Sequence, residues 1–401
     1  MAIKSSGELS FEKDIEKEFG QNPKRSLGEY RIKQTIGDMS NLPLDKDIPL
    51  RSTATGPGIT PTPDNNTTIK FSDFYGKRMN MILVYGASSS SSYTNVRAKA
   101  DYMSYTDSFS NPEVVVVGGF RERQEGTGTR KVFIHVRENT VIHSSDSDKG
   151  ERTKCSLRTG DQWSTGTHLE LNIAGTIIGA GGDGGKGGDD SGGQTEVNGK
   201  PGQSGTSALG IEDEVQRIVV QSTGSIVAGA GGGGGGGGAK NDEYRRAGSG
   251  GGGGSGIPAG DGATEGDGNG GFNGGNGSSI ESGNGGGGDK EASNGGGVAT
   301  GGGGGGGFDG EGGEAQTKSG SDNTDNSQAT DGDDGTSGTN GQGGNGGDGD
   351  AEGGNQKQGE GGQGGTNGYA ILIDSGKTST TPNLTNNGTI KGSHFVYGEV
   401  S

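Results

Sequence analysis

Tyr244, Arg245, Arg246, Phe272 and Phe308 are the side chains in the second half of the chain best suited to gripping another molecule. They stand in a tract otherwise almost devoid of aromatics. Aromatic rings with guanidinium groups are the composition of contact hot spots and of platforms that stack on sugars. A structural role suits Phe272 and Phe308 equally, as plugs at the ends of whatever the tract builds. No set of residues suits catalysis. Gly182, Gly184 and Gly187 have the spacing of a dinucleotide-binding loop, but that spacing follows from glycine content and opens no apolar helix. Lys377 and Thr378 follow Gly376, yet Ile371 stands where a phosphate-binding loop needs its first glycine. His135, His143 and His168 lack ligand spacing and read as ordinary surface or core histidines. The run DGDDG at 331–335 lacks the closing glutamate of an EF-hand and the apolar position of a calcium β-roll, and reads as a solvated acidic loop. Cys155 stands alone, so there is no internal disulfide and no zinc spacing; it reads as a small buried apolar residue. The chain is expected to be no enzyme and to hold no cofactor or metal.

The elements that must position those side chains are constrained by composition. Hydrophobic residues are 24% of the 401 and the mean hydropathy is −0.75, which excludes a large apolar core. Of 95 glycines, 76 lie between Gly175 and Gly368. Glycine loses more backbone freedom on folding than any other residue. Such a tract either stays disordered or is ordered by backbone hydrogen bonds in a lattice that only glycine fits. The tract carries 27 acidic and 9 basic residues, which accounts for the whole formal charge of −17. Nucleic acid is excluded as a partner, because phosphate binding needs clustered Lys and Arg, and no RGG repeat is present. The N-terminus has no apolar h-region and no stretch reaches 18 consecutive apolar residues. Neither export nor membrane insertion is expected, and assembly is expected in the cytoplasm.

Three regions follow, and the fold class is mainly β. Residues 1–78 read as a docking segment of short elements with a Pro/Gly/Thr linker at 56–66. Two related phrases flank the linker, LSFEKDI at 9–15 and IKFSDFYG at 69–76. EKDIEKEFG allows two or three helical turns with Ile15 and Phe19 on one face, too small a face to stand without a partner's core. A frayed helix on its own domain is the alternative. Residues 79–171 form a β domain: MNMILVYG, EVVVVGGF, RKVFIHV and THLELNI are short β-branched runs, as in an antiparallel sandwich or meander. THLELNI alternates, with Leu169, Leu171 and Ile173 on one face.

Residues 172–401 form the glycine-rich domain. A phrase recurs at Gly175-Thr176-Ile177, Gly224-Ser225-Ile226 and Gly388-Thr389-Ile390, each read as a strand with a glycine kink whose Ile enters a shared core. GGDGGKGGD at 181–189 has period three, aligning Asp183, Lys186 and Asp189 on one edge. A threefold extended helix has three residues per turn and no internal hydrogen bonds, so its backbone groups must pair with neighbouring helices, as in polyglycine II. Collagen needs abundant proline, and the tract has only Pro201 and Pro258. A flexible spacer has a similar composition, and an ice-binding plate would show Ala and Thr along its edges. The bracketing strands, ending in YAILIDSG at 369–376, favour a chain brought back into a fold. So does the loop-length punctuation at 239–249, 272–282, 289–294 and 314–340.

GTIIGAGGDGGKGG, GSIVAGAGGGGGGGG, GGTNGYAILI and NNGTIKG, spread over about 172–392, resemble the glycine-rich tip adhesins of T-even-type phage tail fibres. The resemblance implies a polyglycine-II helix bundle closed by short strands, whose intervening loops touch a host polysaccharide or outer-membrane protein. It implies a virion location, attachment to other virion proteins through residues 1–78, and room for a homo-oligomer. A rigid spacer within a fibre or neck is the alternative on the same architecture.

Overall fold

Short alternating runs such as Thr167–Ile173 bury one face only, so each needs strands on both edges and an apolar wall opposite. The computed structural model describes residues 6–15, 71, 80–86, 92–98, 114–117, 130–161, 163, 167–189, 198–240, 245–267, 272–278, 283–284, 290–293, 296–299, 301–307, 329–335, 342–351, 357–378 and 380–401. Five successive coils each lay one strand on each of three sheets. The first coil supplies β1 (Asn80–Tyr85), β2 (Ser92–Thr94) and β3 (Val96–Arg97), with β4 (Val114–Val117) antiparallel on the edge of β1. The second supplies β5 (Arg130–Val136), β6 (Val141–His143) and β7 (Cys155–Arg158). The third supplies β8 (Thr167–Ile173), β9 (Thr176–Ile178) and β10 (Ser207–Ile211). The fourth opens with β11 (Val215–Val220) and β12 (Ser225–Val227). Six short strands then fall inside the glycine tract: β13 (Ala239–Lys240), β14 (Arg245–Arg246), β15 (Lys290–Ser293), β16 (Gly296–Ala299), β17 (Asp350–Ala351) and β18 (Lys357–Gln358). β19 (Ile371–Asp374) completes the fourth coil, and β20 (Asn383–Asn386), β21 (Thr389–Lys391) and β22 (His394–Gly398) make the fifth.

The first face reads β20-β11-β8-β5-β1-β4, the second β2-β6-β9-β12-β21 and the third β22-β19-β10-β7-β3. Every pairing between coils is parallel. The result is a three-faced β-helix around one core. The antiparallel sandwich or meander expected from the strand runs is therefore corrected. Alternation of side chains has the same period in parallel and antiparallel sheets and cannot tell them apart.

Like residues stack on like along the coils. Leu83, Ile134, Leu171, Ile218 and Leu384 are in register on the first face. Tyr93, Ile142, Ile177, Ile226 and Ile390 are in register on the second. The three recurring Gly-Thr/Ser-Ile phrases are thus three rungs of one ladder, with Ile177 and Ile226 fully buried. Their glycines turn the corner between faces. A Cβ on Gly175 would lie 2.3 Å from the Arg137 carbonyl oxygen of the coil before, and one on Gly224 2.1 Å from that of Ile173.

Between the second and third faces the chain makes two excursions. After β9 it runs out through 179–189 and returns through 198–206; after β12 it makes a longer series from 228 to 368 before β19. The strands on either side of residue 172 share all three sheets, so the glycine segments are insertions in the β-helix. Segment 229–238 is their hub. Gly229, Gly232 and Gly235 donate to the carbonyls of Thr206, Gln203 and Lys200; Ala230, Gly233 and Gly236 to Ser255, Gly252 and Ser249; Gly234 and Gly237 to Gly344 and Gly347, all at 2.7–2.9 Å. Its carbonyls accept in the same rotation: from Gly182, Gly185 and Gly188; from Gly368, Gly365, Gly362 and Gly359; and from Gly307, Gly304 and Gly301. Three donor directions and three acceptor directions give this segment six neighbours, where a sheet strand has two. A Cβ on Gly234 would lie 1.9 Å from the Gly362 oxygen, and one on Gly232 2.1 Å from that of Asp183. Any side chain there would force the segments apart.

One expectation changes. Residues 331–335 are part of the lattice and no solvated loop: Gly305 donates to the Asp333 carbonyl and the Asp333 amide to Asn345. The Asp333 side chain stays exposed while its backbone is engaged. Near the N-terminus the described helix is one turn, Phe11–Ile15. Leu9 and Phe11 pack against the β-helix core cluster, and the Phe11 ring meets Phe71 of the second related phrase edge-on at 6.1 Å. Phe19 and the linker at 56–66 lie outside the described residues.

Candidate functional site

The lattice has a near end, against the β-helix, and a far end. The near end is held by a buried hydroxyl chain at the corner of the second and third faces. Ser144 Oγ lies 2.8 Å from Ser156 Oγ and 2.7 Å from Thr206 Oγ1; Ser156 donates to the Ile178 carbonyl, and Thr206 Oγ1 accepts the Ala180 amide. Outside it, Lys149 on the second coil reaches Asp183 at 3.0 Å and Asp146 at 2.8 Å. Burial works against the Lys149 charge, but the hydrogen bonds to both carboxylates outweigh it and hold its pKa above the ordinary lysine value.

At the far end the hydrogen-bond ladders bring together residues distant in sequence. Gly188 accepts from Gly248, Gly199 donates to Glu360, Gly349 to Gly359, Gly359 to Gly238, and Gly250 to Phe272. Two small sheets finish this end, β14-β13-β18 and β15-β16-β17. In the first, Lys240 pairs with Arg245 on one side and Lys357 on the other, while Ala239 pairs with Arg246 and Gln358. Four of the tract's nine basic residues thus sit on six strand residues at one end of an acidic lattice.

Of the five contact residues named from sequence, Arg245 and Arg246 form β14, and Phe272 begins the segment beside it, 61% exposed. Tyr244 and Phe308 lie outside the described residues. Gly307, the residue before Phe308, donates to Gly231, toward the near end of the lattice. Lys240 and Lys357 could not be singled out from sequence, because only the fold puts β13 and β18 side by side. Their one local signal is their position at the edges of glycine runs.

The groups considered for catalysis are structural where they are described. Arg97, Asp161, Glu212 and Lys377 come from the same corner of four successive coils: Arg97 Nη2 lies 2.6 Å from Asp161 and 2.9 Å from the buried Glu212, and Lys377 Nζ lies 2.8 Å from Asp161. The hydrogen bond from Lys377 holds the Asp161 carboxyl below its ordinary range, with Arg97 adding to it against partial burial. Lys377, beside the near-miss phosphate loop, is fully engaged in this ladder. His135 is buried, with Nδ1 3.0–3.1 Å from Asn172. Burial pushes the Cys155 thiol far up, which leaves it unionised and inert. No His/Cys/Asp/Glu group among the described residues could hold a metal ion, and no helix there is long and apolar enough to cross a membrane.

No curated protein and no solved structure matches the chain. Residues 103–297 match the family model described as Phage tail fibre adhesin Gp38, a span from just after the first β-helix coil to the middle of the glycine insertions. Over that span, which covers the second and third coils and the strands that launch the lattice, the chain is similar to phage tail fibre adhesins.

Proposed function

We propose that the chain is a non-catalytic virion adhesin whose far-end turns contact the surface of a bacterial host. The observation that carries this reading is the far end itself: segments from across the tract terminate together there, β13, β14 and β18 place Lys240, Arg245, Arg246 and Lys357 on neighbouring strands, and exposed Phe272 accepts from Gly250 on the segment that follows β14. Aromatic and cationic side chains on a rigid support are what a contact surface needs, because little rotamer and backbone freedom remains to be lost on binding. The partner is a surface polysaccharide or an outer-membrane protein. In this reading the glycine segments are polyglycine-II helices, a geometry supported by the three-residue rotation of donors and acceptors around 229–238. Residues 1–78 attach the adhesin to other virion proteins.

The test is binding of the purified chain to cells that the parent phage infects. Replacing residues 241–244 with a glycine-serine linker is expected to lower cell binding at least about tenfold, a loss of about 1.4 kcal/mol or more, while lattice amides stay protected from exchange. Unchanged binding after each far-end turn is replaced in turn would favour the spacer reading.

A further inference from the structure

A hydrogen-bonded lattice that gives its hub six neighbours must leave unpaired groups on its perimeter, as an edge strand does in a sheet. Here those positions carry a pattern. Segment 258–267 donates from Gly260, Ala263 and Gly266 to backbone carbonyls of 248–254, and four of its other amides go to side chains. Asp261 and Asp267 donate to Asp183 and Asp189 at 2.9 and 2.7 Å, and Gly262 and Glu265 to Asn276 and Asn273 at 2.8 and 3.0 Å. Segment 358–368 repeats the device: Gly361 and Gly364 donate to Asp348 and Asn345 at 2.8 and 3.1 Å, and Glu360 to Asn198 at 3.0 Å. The Asp348 amide in turn donates to Thr330 Oγ1 at 2.7 Å. The acceptors are three residues apart within each pair, or six for Asp183 and Asp189, the spacing of the backbone rotation. Pro258, which has no amide hydrogen, falls in phase with Asp261 and Asp267.

We propose that these short polar side chains terminate the lattice along the rows they cap: by occupying those perimeter amides they prevent a further glycine segment, from this chain or a second copy, from adding there. Asn and Asp suit the task because their oxygen reaches a neighbouring amide while the backbone stays in lattice geometry, whereas glycine at the same position would leave that amide open to a new strand. The acidic members add repulsion between copies.

Two measurements test this. In the unaltered chain, the amides of Gly361 and Gly364 should exchange with solvent about tenfold or more slowly than those of Gln363 and Thr366, which lie on the same segment without an acceptor among the described residues. Equal rates would overturn the proposal whatever any variant does. In the double variant Asn273→Gly with Asn276→Gly, sedimentation should shift toward dimers and larger species as concentration rises, while Asn273→Asp with Asn276→Asp, which keeps the acceptors, should sediment as the parent does. Parental sedimentation by a glycine variant whose Gly262 and Glu265 amides have become fast to exchange would also overturn it.

Discussion

At the scale of single residues, the account rests on groups whose surroundings leave no latitude. Gly234 has the Gly362 oxygen 1.9 Å from where a Cβ would stand. Gly→Ala commonly stabilises a protein by restricting the unfolded chain, but here the native site cannot accept the methyl. Gly234→Ala is expected to lower stability by about 1–3 kcal/mol in thermal or denaturant unfolding. Asp161 provides a test by pH. Its folded pKa lies below the unfolded value, so its ion pairs contribute above the ordinary carboxylate pKa of about 4 and are lost as pH falls through the depressed value. The stability gap between the parent and Asp161→Asn should therefore be widest near neutrality and close under acid. A gap that widens on acidification would contradict the assignment.

At the scale of elements, the Gly-Thr/Ser-Ile phrases are legible in the sequence because each is a local signature of one rung, and like rungs stack. The parallel pairing is not legible there. First-face strands begin at residues 80, 130, 167, 215 and 383, so the insertions erase any fixed period that would announce a coil. The pairing of Lys240 with Lys357 is hidden for the same reason, since segments adjacent in the lattice are far apart along the chain. Period three within 181–189 does announce an edge, and Asp183 and Asp189 form one with Asp261 and Asp267. The ladder on the second face makes its own prediction. Ile226→Ala removes a fully buried side chain between Ile177 and Ile390 and should cost about 2–5 kcal/mol. Because both excursions spring from that face, β-helix and lattice should unfold in one transition when followed by circular dichroism and by exchange of the 229–238 amides. Two separate transitions would mean that the lattice stands without its base.

For the whole molecule, the β-helix sets a base and the glycine insertions carry a far end away from it. Charge is segregated: most of the acidity lies in the lattice, while Lys240, Arg245, Arg246 and Lys357 fall on the short strands at its far end. If those cations contribute to host attachment, cell binding should weaken as salt rises from about 0.05 to 0.5 M, since exposed charge interactions are screened over about 10 Å or less in that range. A Lys240→Glu variant should bind more weakly than the parent at low salt and converge with it at high salt. Both the contact reading and the edge-capping proposal depend on the glycine tract being an ordered solid rather than a tether. Native-state amide exchange across 229–238 tests that claim most directly. The account predicts protection of the hydrogen-bonded amides Gly229, Ala230 and Gly232 to Gly237 comparable to that of Ile218, Val219 and Val220 in the core strand, because both sets are paired and buried. Exchange of 229–238 at the rate of an unstructured glycine peptide, with Val215–Val220 still protected, would contradict it.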